Sequence, residues 1–238
     1  MNMRTLILFA AGVLAIGQLS ADTNVAQPVQ ATHTESFNFA PGGTIRIADA
    51  AGYVSVEAWD QPNIEVTVTK SMGYGSEPAA YLDSVKVATD RRSDTEFAIT
   101  TTRTRIHNRF TRALGIGRDP AVEYHIRVPR NSNVVITHAD GYVSVTGVTG
   151  NIEADNRRGD IVLMLADLAG YSIDAHTKIG LVTADMPGSM HRKHLSGEEF
   201  SHNDAALKHH LQLRMGFGGI TIKELPAESL TPIAVAAK

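Results

Sequence analysis

The chain has 238 residues, with 22 basic and 25 acidic side chains, ten histidines and no cysteine. Its slightly negative net charge of −3 argues against a dedicated nucleic-acid-binding protein. The lack of cysteine excludes disulfides, thiol catalysis, cysteine-ligated zinc and iron–sulfur clusters, so a buried apolar core must hold the fold together.

The first 21 residues have the composition of a secretory signal peptide. Arg4 precedes an uncharged apolar run, residues 6–17, which is shorter than the roughly 18–20 residues of a membrane-spanning helix. We therefore expect an exported protein, in the periplasm or at the surface of a bacterium, that is not an integral membrane protein after cleavage; a retained anchor is the alternative. Residues 22–36 are polar and aperiodic, which predicts a flexible tether.

From Phe37 onward, apolar and polar residues alternate with a period of two between turns rich in Gly, Pro and Asn. Residues 53–59 (YVSVEAW), 64–69 (IEVTVT) and 122–128 (VEYHIRV) show the pattern most clearly. It predicts one all-β domain over residues 37–225 that begins as an N-terminal antiparallel meander. The tail, residues 226–238, is predicted to cap the last strand or to be frayed.

Glycines precede short β-like segments at intervals of about ten residues in the second half of the chain. They are Gly141, Gly150, Gly159, Gly170 and Gly180. This spacing predicts a β-solenoid-like stack with two strands per coil, each turning at a glycine with positive φ. The sequence Gly-Tyr-Val-Ser-Val, at residues 52–56 and again at 141–145, supports repetition. A β-sandwich with hairpins of similar spacing is the alternative.

An arginine-rich segment interrupts the β pattern at residues 102–119. It contains Arg103, Arg105, Arg109 and Arg112, and no acidic residue occurs from Phe97 through Arg118. Guanidinium groups suit phosphate and carboxylate, so these four arginines are the candidates for binding an anionic envelope polymer or lipid head groups. A solvated loop is the alternative.

A histidine-rich segment interrupts the pattern again, at residues 187–206, and is predicted to be an insertion loop or short helix outside the stack. Five histidines lie in or just after it: His191, His194, His202, His209 and His210. A metal site needs fixed geometry, which a loop alone does not supply. His209 is in phase with inward-facing residues and His210 is not, so we expect no metal and no other cofactor.

Aspartates near the glycines are the candidates for catalysis. They are Asp140, Asp155, Asp160, Asp174 and Asp185. Glycoside cleavage requires two carboxyl groups at set separations, but an aspartate beside glycine is first a turn former. A protein that is not an enzyme is therefore favoured, and a β-helical carbohydrate-active enzyme is the alternative.

Three segments, taken in order, resemble the exported bacterial "putative adhesin" family, a domain of unknown function. They are residues 59–66 (WDQPNIEV), residues 124–129 (YHIRVP) and the glycine-headed segments from Gly141 onward. The resemblance spans residues 37–224 and implies an envelope-associated β-repeat fold with an adhesin-like role and no catalytic residues to transfer. The partner it leaves open is a polymer, a lipid, a surface protein or, through exposed strand edges, a second copy.

Overall fold

The structure is a computed structural model and describes residues 30–49, 51–72, 79–104, 120–193, 196–204 and 206–226. It confirms the all-β fold class. The strands are β1 (Gln30–Asn38), β2 (Thr44–Asp49), β3 (Gly52–Trp59), β4 (Asn63–Ser71), β5 (Val85–Arg91), β6 (Glu96–Arg103), β7 (Ala121–Pro129), β8 (Asn133–His138), β9 (Gly141–Thr146), β10 (Ile152–Leu165), β11 (Tyr171–Ile179), β12 (Val182–Ala184), β13 (Ser189–Lys193), β14 (Gly197–His202), β15 (His209–Phe217) and β16 (Ile220–Glu224). A short 3₁₀ helix, Ala79–Ser84, precedes β5.

The strands form two facing sheets, and six rungs each contribute one segment to both. In each rung named below, the earlier segment belongs to what we call the first sheet and the later segment to the second sheet. The rungs are β6/β7, β2/β3, β8/β9, the two halves of β10, β15/β16 and β11/β12. Neighbouring rungs pair in parallel throughout, as stacked coils require. Strand β10 joins the sheets, because Ile152 pairs with β8 and β15 while Ile161 pairs with β9 and β16. This arrangement confirms the solenoid-like stack.

The rungs are not stacked in the order of the chain. Rung β6/β7 lies outside β2/β3, and β15/β16, the last rung in the sequence, lies between β10 and β11/β12. The chain therefore leaves a gap after β10 and fills it later with residues 209–224. Such pairing is set by contacts between distant residues rather than by local turns.

Antiparallel strands close both ends of the stack. At one end β4 pairs with β7, β1 pairs with β4, and β5 pairs with β6. At the other end the hairpin β13/β14 pairs with β11. The predicted N-terminal meander is thus wrong for β2 and β3, which belong to opposite sheets because the turn between them is a corner and not a hairpin. The predicted insertion loop or helix at 187–206 is likewise a β-hairpin.

The folded domain begins before Phe37. Strand β1 starts at Gln30 and pairs with β4 along its whole length, so residues 30–36 are not a tether. Threonine pairs explain the pairing of this polar segment: Thr32 lies 3.1 Å from Thr69, and Thr34 lies 3.0 Å from Thr67, hydroxyl to hydroxyl. The predicted signal peptide, residues 22–29 of the tether and residues 227–238 of the tail lie outside the described residues.

The core fills the space between the two sheets. One apolar row crosses the second sheet at Val54, Val143, Ile161, Ile220 and Val182. A facing row crosses the first sheet at Ile45, Val134, Ile152, Leu211 and Ile173. Each such buried side chain stabilises the fold by about 1.5–3 kcal/mol. Rows of this kind hold the rungs in register without disulfides.

One edge of the stack is a column of glycines. They are Gly52, Gly141, Gly159, Gly218 and Gly180 in spatial order, with φ between +116° and +143°. A Cβ on Gly159 would lie 1.8 Å from the carbonyl oxygen of Gly141, so the backbones touch directly. The predicted corners at Gly141, Gly159 and Gly180 are confirmed. Gly150 and Gly170 lack positive φ and precede β10 and β11, at the opposite edge.

Candidate functional site

The glycine column carries two rows of side chains on its outer surface. We call the five glycines and the residues directly before and after them the glycine edge. Four of the five most exposed large apolar side chains in the described part of the chain lie on it: Tyr53 (41%), Ile179 (44%), Phe217 (57%) and Leu181 (63%). Clustering of this kind on a soluble surface is typical of an interaction site.

Two tyrosines form the aromatic half of the glycine edge. Tyr53 and Tyr142 follow equivalent glycines and stand in register on β3 and β9, with ring centroids 5.2 Å apart and planes inclined by 2°. Burial, then Tyr53 and Asp160, raises the pKa of Tyr142. The two rings are stacked, and Tyr53 remains 41% exposed whereas Tyr142 is half-buried.

Three apolar side chains form the other half. Phe217 of β15 pairs with Ile179 of β11, and Leu181 directly follows Gly180. All three side chains are exposed. The backbones of the neighbouring corners are in direct contact, since a Cβ on Gly180 would lie 1.9 Å from the carbonyl oxygen of Gly218.

An ion pair separates the aromatic and apolar halves. Arg158 Nη1 lies 3.3 Å from Asp140 Oδ2, both largely in solvent. Nearby, Asp160 Oδ1 accepts a hydrogen bond from the amide of Gly219 at 2.9 Å. Asp160 thus fastens β10 to the start of β16, and the paired charges give the middle of the edge a polar character.

The arginine-rich segment leaves the fold at the same edge. At rung β6/β7 the chain runs from Arg103 to Pro120 through residues 105–119, which lie outside the described residues and include Arg105, Arg109 and Arg112. The Arg103 guanidinium donates to the carbonyl of Pro120 at 2.9 Å and to that of Ala51. Because Ala51 directly precedes Gly52, Arg103 pins this corner to the glycine edge.

Buried polar side chains support the edge from inside. Asn156 Nδ2 donates to the carbonyl of Gly141 at 2.9 Å, and the Thr177 hydroxyl donates to that of Gly180 at 3.0 Å. In the same inward row, His138 Nδ1 lies 3.5 Å from Asp49 Oδ2, with both side chains excluded from solvent. Burial lowers the pKa of His138, and the nearby Asp49 carboxylate opposes that shift. Hydrogen bonds from buried side chains and direct contact between neighbouring backbones therefore both hold the glycine corners in place.

The five candidate aspartates do not converge on one place. Asp140 and Asp160 lie on the glycine edge, and Asp185 follows β12. Asp155 and Asp174 share the outer face of the first sheet but lie on either side of β15. There Arg214 donates to both oxygens of Asp174, at 3.0 and 2.5 Å.

The histidines are also dispersed. His191 and His202 lie on the capping hairpin, His209 and His210 on β15, and His194 outside the described residues. The ring of His209 contacts the buried Tyr171, 5.7 Å between centroids, while His210 faces solvent, as its phase predicted. In the described ranges, no three His, Asp or Glu side chains are grouped so that they could hold a metal ion.

The sequence patterns did not predict that apolar side chains would gather at one half of the glycine edge. The available signal was local: Phe217 precedes a glycine, and Ile179 and Leu181 flank one, so three large apolar residues stand where the alternation stops. Phe217 and Ile179 could not be placed side by side, because β15 lies next to β11 only through the order in which the rungs stack.

No family model matches the chain, and no curated protein matches it. A crystal structure of a putative cell adhesion protein from Clostridium sporogenes is similar at 11% identity and a TM-score of 0.49, covering 84% of this chain and 100% of that one. A putative adhesin from Bacteroides fragilis is similar at 9% identity and a TM-score of 0.25, covering 82% and 97%.

Over the described ranges, no helix is both long enough and apolar enough to cross a membrane. The resemblance of the sequence motifs to the "putative adhesin" family stays a prediction.

Proposed function

We propose that this chain is a non-enzymatic, exported cell-envelope protein whose β scaffold presents the glycine edge for adhesin-like binding. The concentration of Tyr53, Ile179, Leu181 and Phe217 on that one edge carries the proposal. No nucleic acid and no cofactor are part of it.

The rigidity of the edge favours binding. Contact between backbones along the glycine column, and the hydrogen bonds of Asn156 and Thr177 to its carbonyls, fix the outward side chains before a partner arrives. A preorganised surface loses less conformational entropy on association than a mobile one. Exposed aromatic and aliphatic side chains then supply the apolar contact.

The proposed partner is an anionic polymer of the cell envelope. Arg105, Arg109 and Arg112 belong to the segment whose two ends, Thr104 and Pro120, lie beside the glycine edge. Guanidinium groups bind phosphate and carboxylate in a bidentate manner. Arg103 is left out of the proposed binding set because backbone carbonyls already engage its guanidinium.

The test measures binding of the purified chain to an acidic polysaccharide, to anionic lipid vesicles and to a neutral polysaccharide, each at two salt concentrations. One variant changes Arg105, Arg109 and Arg112 to Ser, and a matched control changes Arg46, Arg91 and Arg92, which are exposed elsewhere. A second variant carries Phe217→Ser and Leu181→Ser, with Met190→Ser, the exposed apolar residue off the edge, as its control.

We expect salt-sensitive binding to the acidic polysaccharide that both test variants lose and both controls keep. Equal binding by variants and controls would overturn the role of the glycine edge. Binding to vesicles alone would move the partner from a polymer to lipid head groups, and failure to bind any of the three would leave a surface protein as the partner to seek.

A further inference from the structure

Strand β1 is a free sheet edge of nine residues. It pairs with β4 on one side, and no strand of the described part of the chain pairs with its other side. Folded proteins usually protect such an edge with proline, charged side chains, a bulge or a very short strand. Strand β1 contains neither proline nor lysine, and its register with β4 runs unbroken from Gln30 to Asn38. Its one acidic side chain, Glu35, faces inward, so a strand that pairs with this edge must place a complementary group opposite it.

We propose that β1 pairs with β1 of a second copy of this chain, antiparallel about a two-fold axis at Thr34. Only one type of interface is formed, and it is self-complementary, as a two-fold requires. The second sheet would continue from one copy into the other.

The sequence of β1 is self-complementary about Thr34. In that register His33 stands opposite Glu35 of the second copy, and Glu35 opposite its His33. The remaining opposed pairs are Thr32 with Ser36, Ala31 with Phe37 and Gln30 with Asn38. A histidine therefore meets a carboxylate, polar residues meet polar residues and apolar residues meet apolar residues. Cross-strand pairs of this kind are the main source of specificity in antiparallel pairing.

No other register gives this match. A two-fold axis perpendicular to the sheet leaves every side chain on its own face of the sheet. Other registers therefore arise only when this axis passes through another residue of β1. Centring the axis on Thr32 places His33 opposite Ala31, and centring it on Ser36 places Glu35 opposite Phe37. The two His33–Glu35 pairs form only when the axis passes through Thr34.

The two faces of β1 suit this partner in different ways. On the outer face, the hydroxyl pairs between β1 and β4 would be followed by the Thr32–Ser36 pairs between the two copies. Polar side chains would then run without a break from one copy to the other. On the inner face, His33 Nε2 lies 3.0 Å from Glu35 Oε1, with both side chains largely exposed. The hydrogen bond from His33 is the main cause that lowers the pKa of Glu35, so this carboxylate is ionised at neutral pH. Its Oε2 also accepts a hydrogen bond from Thr89 of β5 at 3.2 Å, so a second histidine would bind through a remaining lone pair of the carboxylate.

Strand β1 also overhangs the opposite sheet. The second sheet extends three strands beyond β3, through β7, β4 and β1, whereas the first extends only two beyond β2, through β6 and β5. Beneath the overhang lies a cavity of about 240 Å³ with an apolar floor formed by Val66, Val68 and Val87. Joining two copies at β1 would enclose this cavity further; in one copy Val66 and Val68 are already buried, and Val87 is half-buried.

A cysteine scan tests the register, because the natural chain has no thiol. In the full chain, Thr34→Cys places two thiols opposite each other, with Cα atoms about 4.5–5.5 Å apart, within reach of a disulfide. The control, Ser36→Cys, lies on the same face, but its two copies would be about 14 Å apart, too far to bridge. Mild oxidation should link Thr34→Cys into covalent dimers and leave Ser36→Cys monomeric on a denaturing gel.

A charge swap tests the pairing. His33→Glu should weaken the dimer of the full chain by about tenfold in sedimentation equilibrium, since two carboxylates then face each other twice. The double variant, His33→Glu with Glu35→His, should restore it. The proposal is overturned if the unmodified chain stays monomeric at every attainable concentration, if the two cysteine variants cross-link equally, or if the double variant is as weak as the single one.

Discussion

The amide of Val182 donates a hydrogen bond to Glu198 Oε2 at 3.0 Å. Val182 opens β12, the three-residue strand at the free edge of the second sheet, and Glu198 belongs to the hairpin that caps the first sheet. A buried carboxylate thus occupies the position that the carbonyl of another strand would take. Arg192 donates to the other oxygen of Glu198, at 3.1 and 2.9 Å. A side chain therefore caps the edge of the second sheet here, whereas at the other end no described strand pairs with the outer edge of β1.

Replacing Glu198 with Ala should destabilise the fold by about 2 kcal/mol, because the Val182 amide would be left without its acceptor. Glu153→Ala, on an exposed position of β10, should cost less than about 0.5 kcal/mol and serves as the control. Urea unfolding at neutral pH measures both. Equal losses in the two variants would contradict the role of Glu198 as an edge cap.

Glu198 should also make stability depend on acidic pH. Its pKa is lowered from 4.5, chiefly by the Val182 amide and then by Arg192, so the folded state favours the carboxylate. The contribution is present above pH 4.5 and is lost as pH falls through the lower pKa of the folded state. The difference in unfolding free energy between the natural chain and Glu198→Gln should therefore shrink as pH falls from 5 toward 3. A constant difference would show that the carboxylate's charge is not involved.

Gly159→Ala should prevent folding or cost more than about 4 kcal/mol, because the added methyl would strike the Gly141 carbonyl oxygen as well as force an unfavourable φ of +116°. Gly42→Ala separates the two effects. Gly42 also has positive φ, but no atom lies within 4 Å of its Cβ position, so the substitution should cost only about 1–2 kcal/mol. Thermal unfolding compares the two, and similar melting temperatures would contradict direct backbone contact along the column.

His138 should make stability fall as pH drops below about 6.5. Burial lowers its pKa in the folded state below 6.5, although Asp49 and Asp140 both act to raise it. As pH falls below 6.5 the unfolded chain therefore binds a proton that the folded chain resists, and unfolding becomes easier. His138→Gln should lose less stability over this interval, measured by urea unfolding at each pH. Parallel loss in both proteins would place the effect on another group.

Arg103→Ala should lower the unfolding free energy by about 2 kcal/mol, since two backbone carbonyls would lose a charged donor. The control is Arg46→Ala, whose half-exposed ion pair with Glu96 should contribute less than about 1 kcal/mol. Faster amide hydrogen exchange in β6 and β7 of Arg103→Ala would locate the loss at this corner. Unchanged exchange there would contradict the pinning role.

Sequence patterns predicted more of the fold than of the candidate site. Alternation identified the strands around Val54, Val66 and Ile126, because each has one buried face. The same reasoning failed for β1, where both faces of residues 30–36 are exposed or polar and no alternation exists to be read. Nor did the sequence predict that Arg103 donates to the carbonyls of Ala51 and Pro120, because a residue's partners across a corner are not visible in the sequence.

The sequence by itself determined most of the strands, though not β1, β13 and β14, and where three of the corners lie. Both follow from local physics: a half-buried strand needs a period of two, and a backbone with positive φ that touches its neighbour needs glycine, as at Gly141, Gly159 and Gly180. Only the tertiary structure decided the order of the rungs. Parallel strands with similar apolar rows can pair with one another in many orders, so the place of β15/β16 between β10 and β11/β12 depends on packing across the whole core. That order brings Phe217 beside Ile179 and creates the edge proposed to bind.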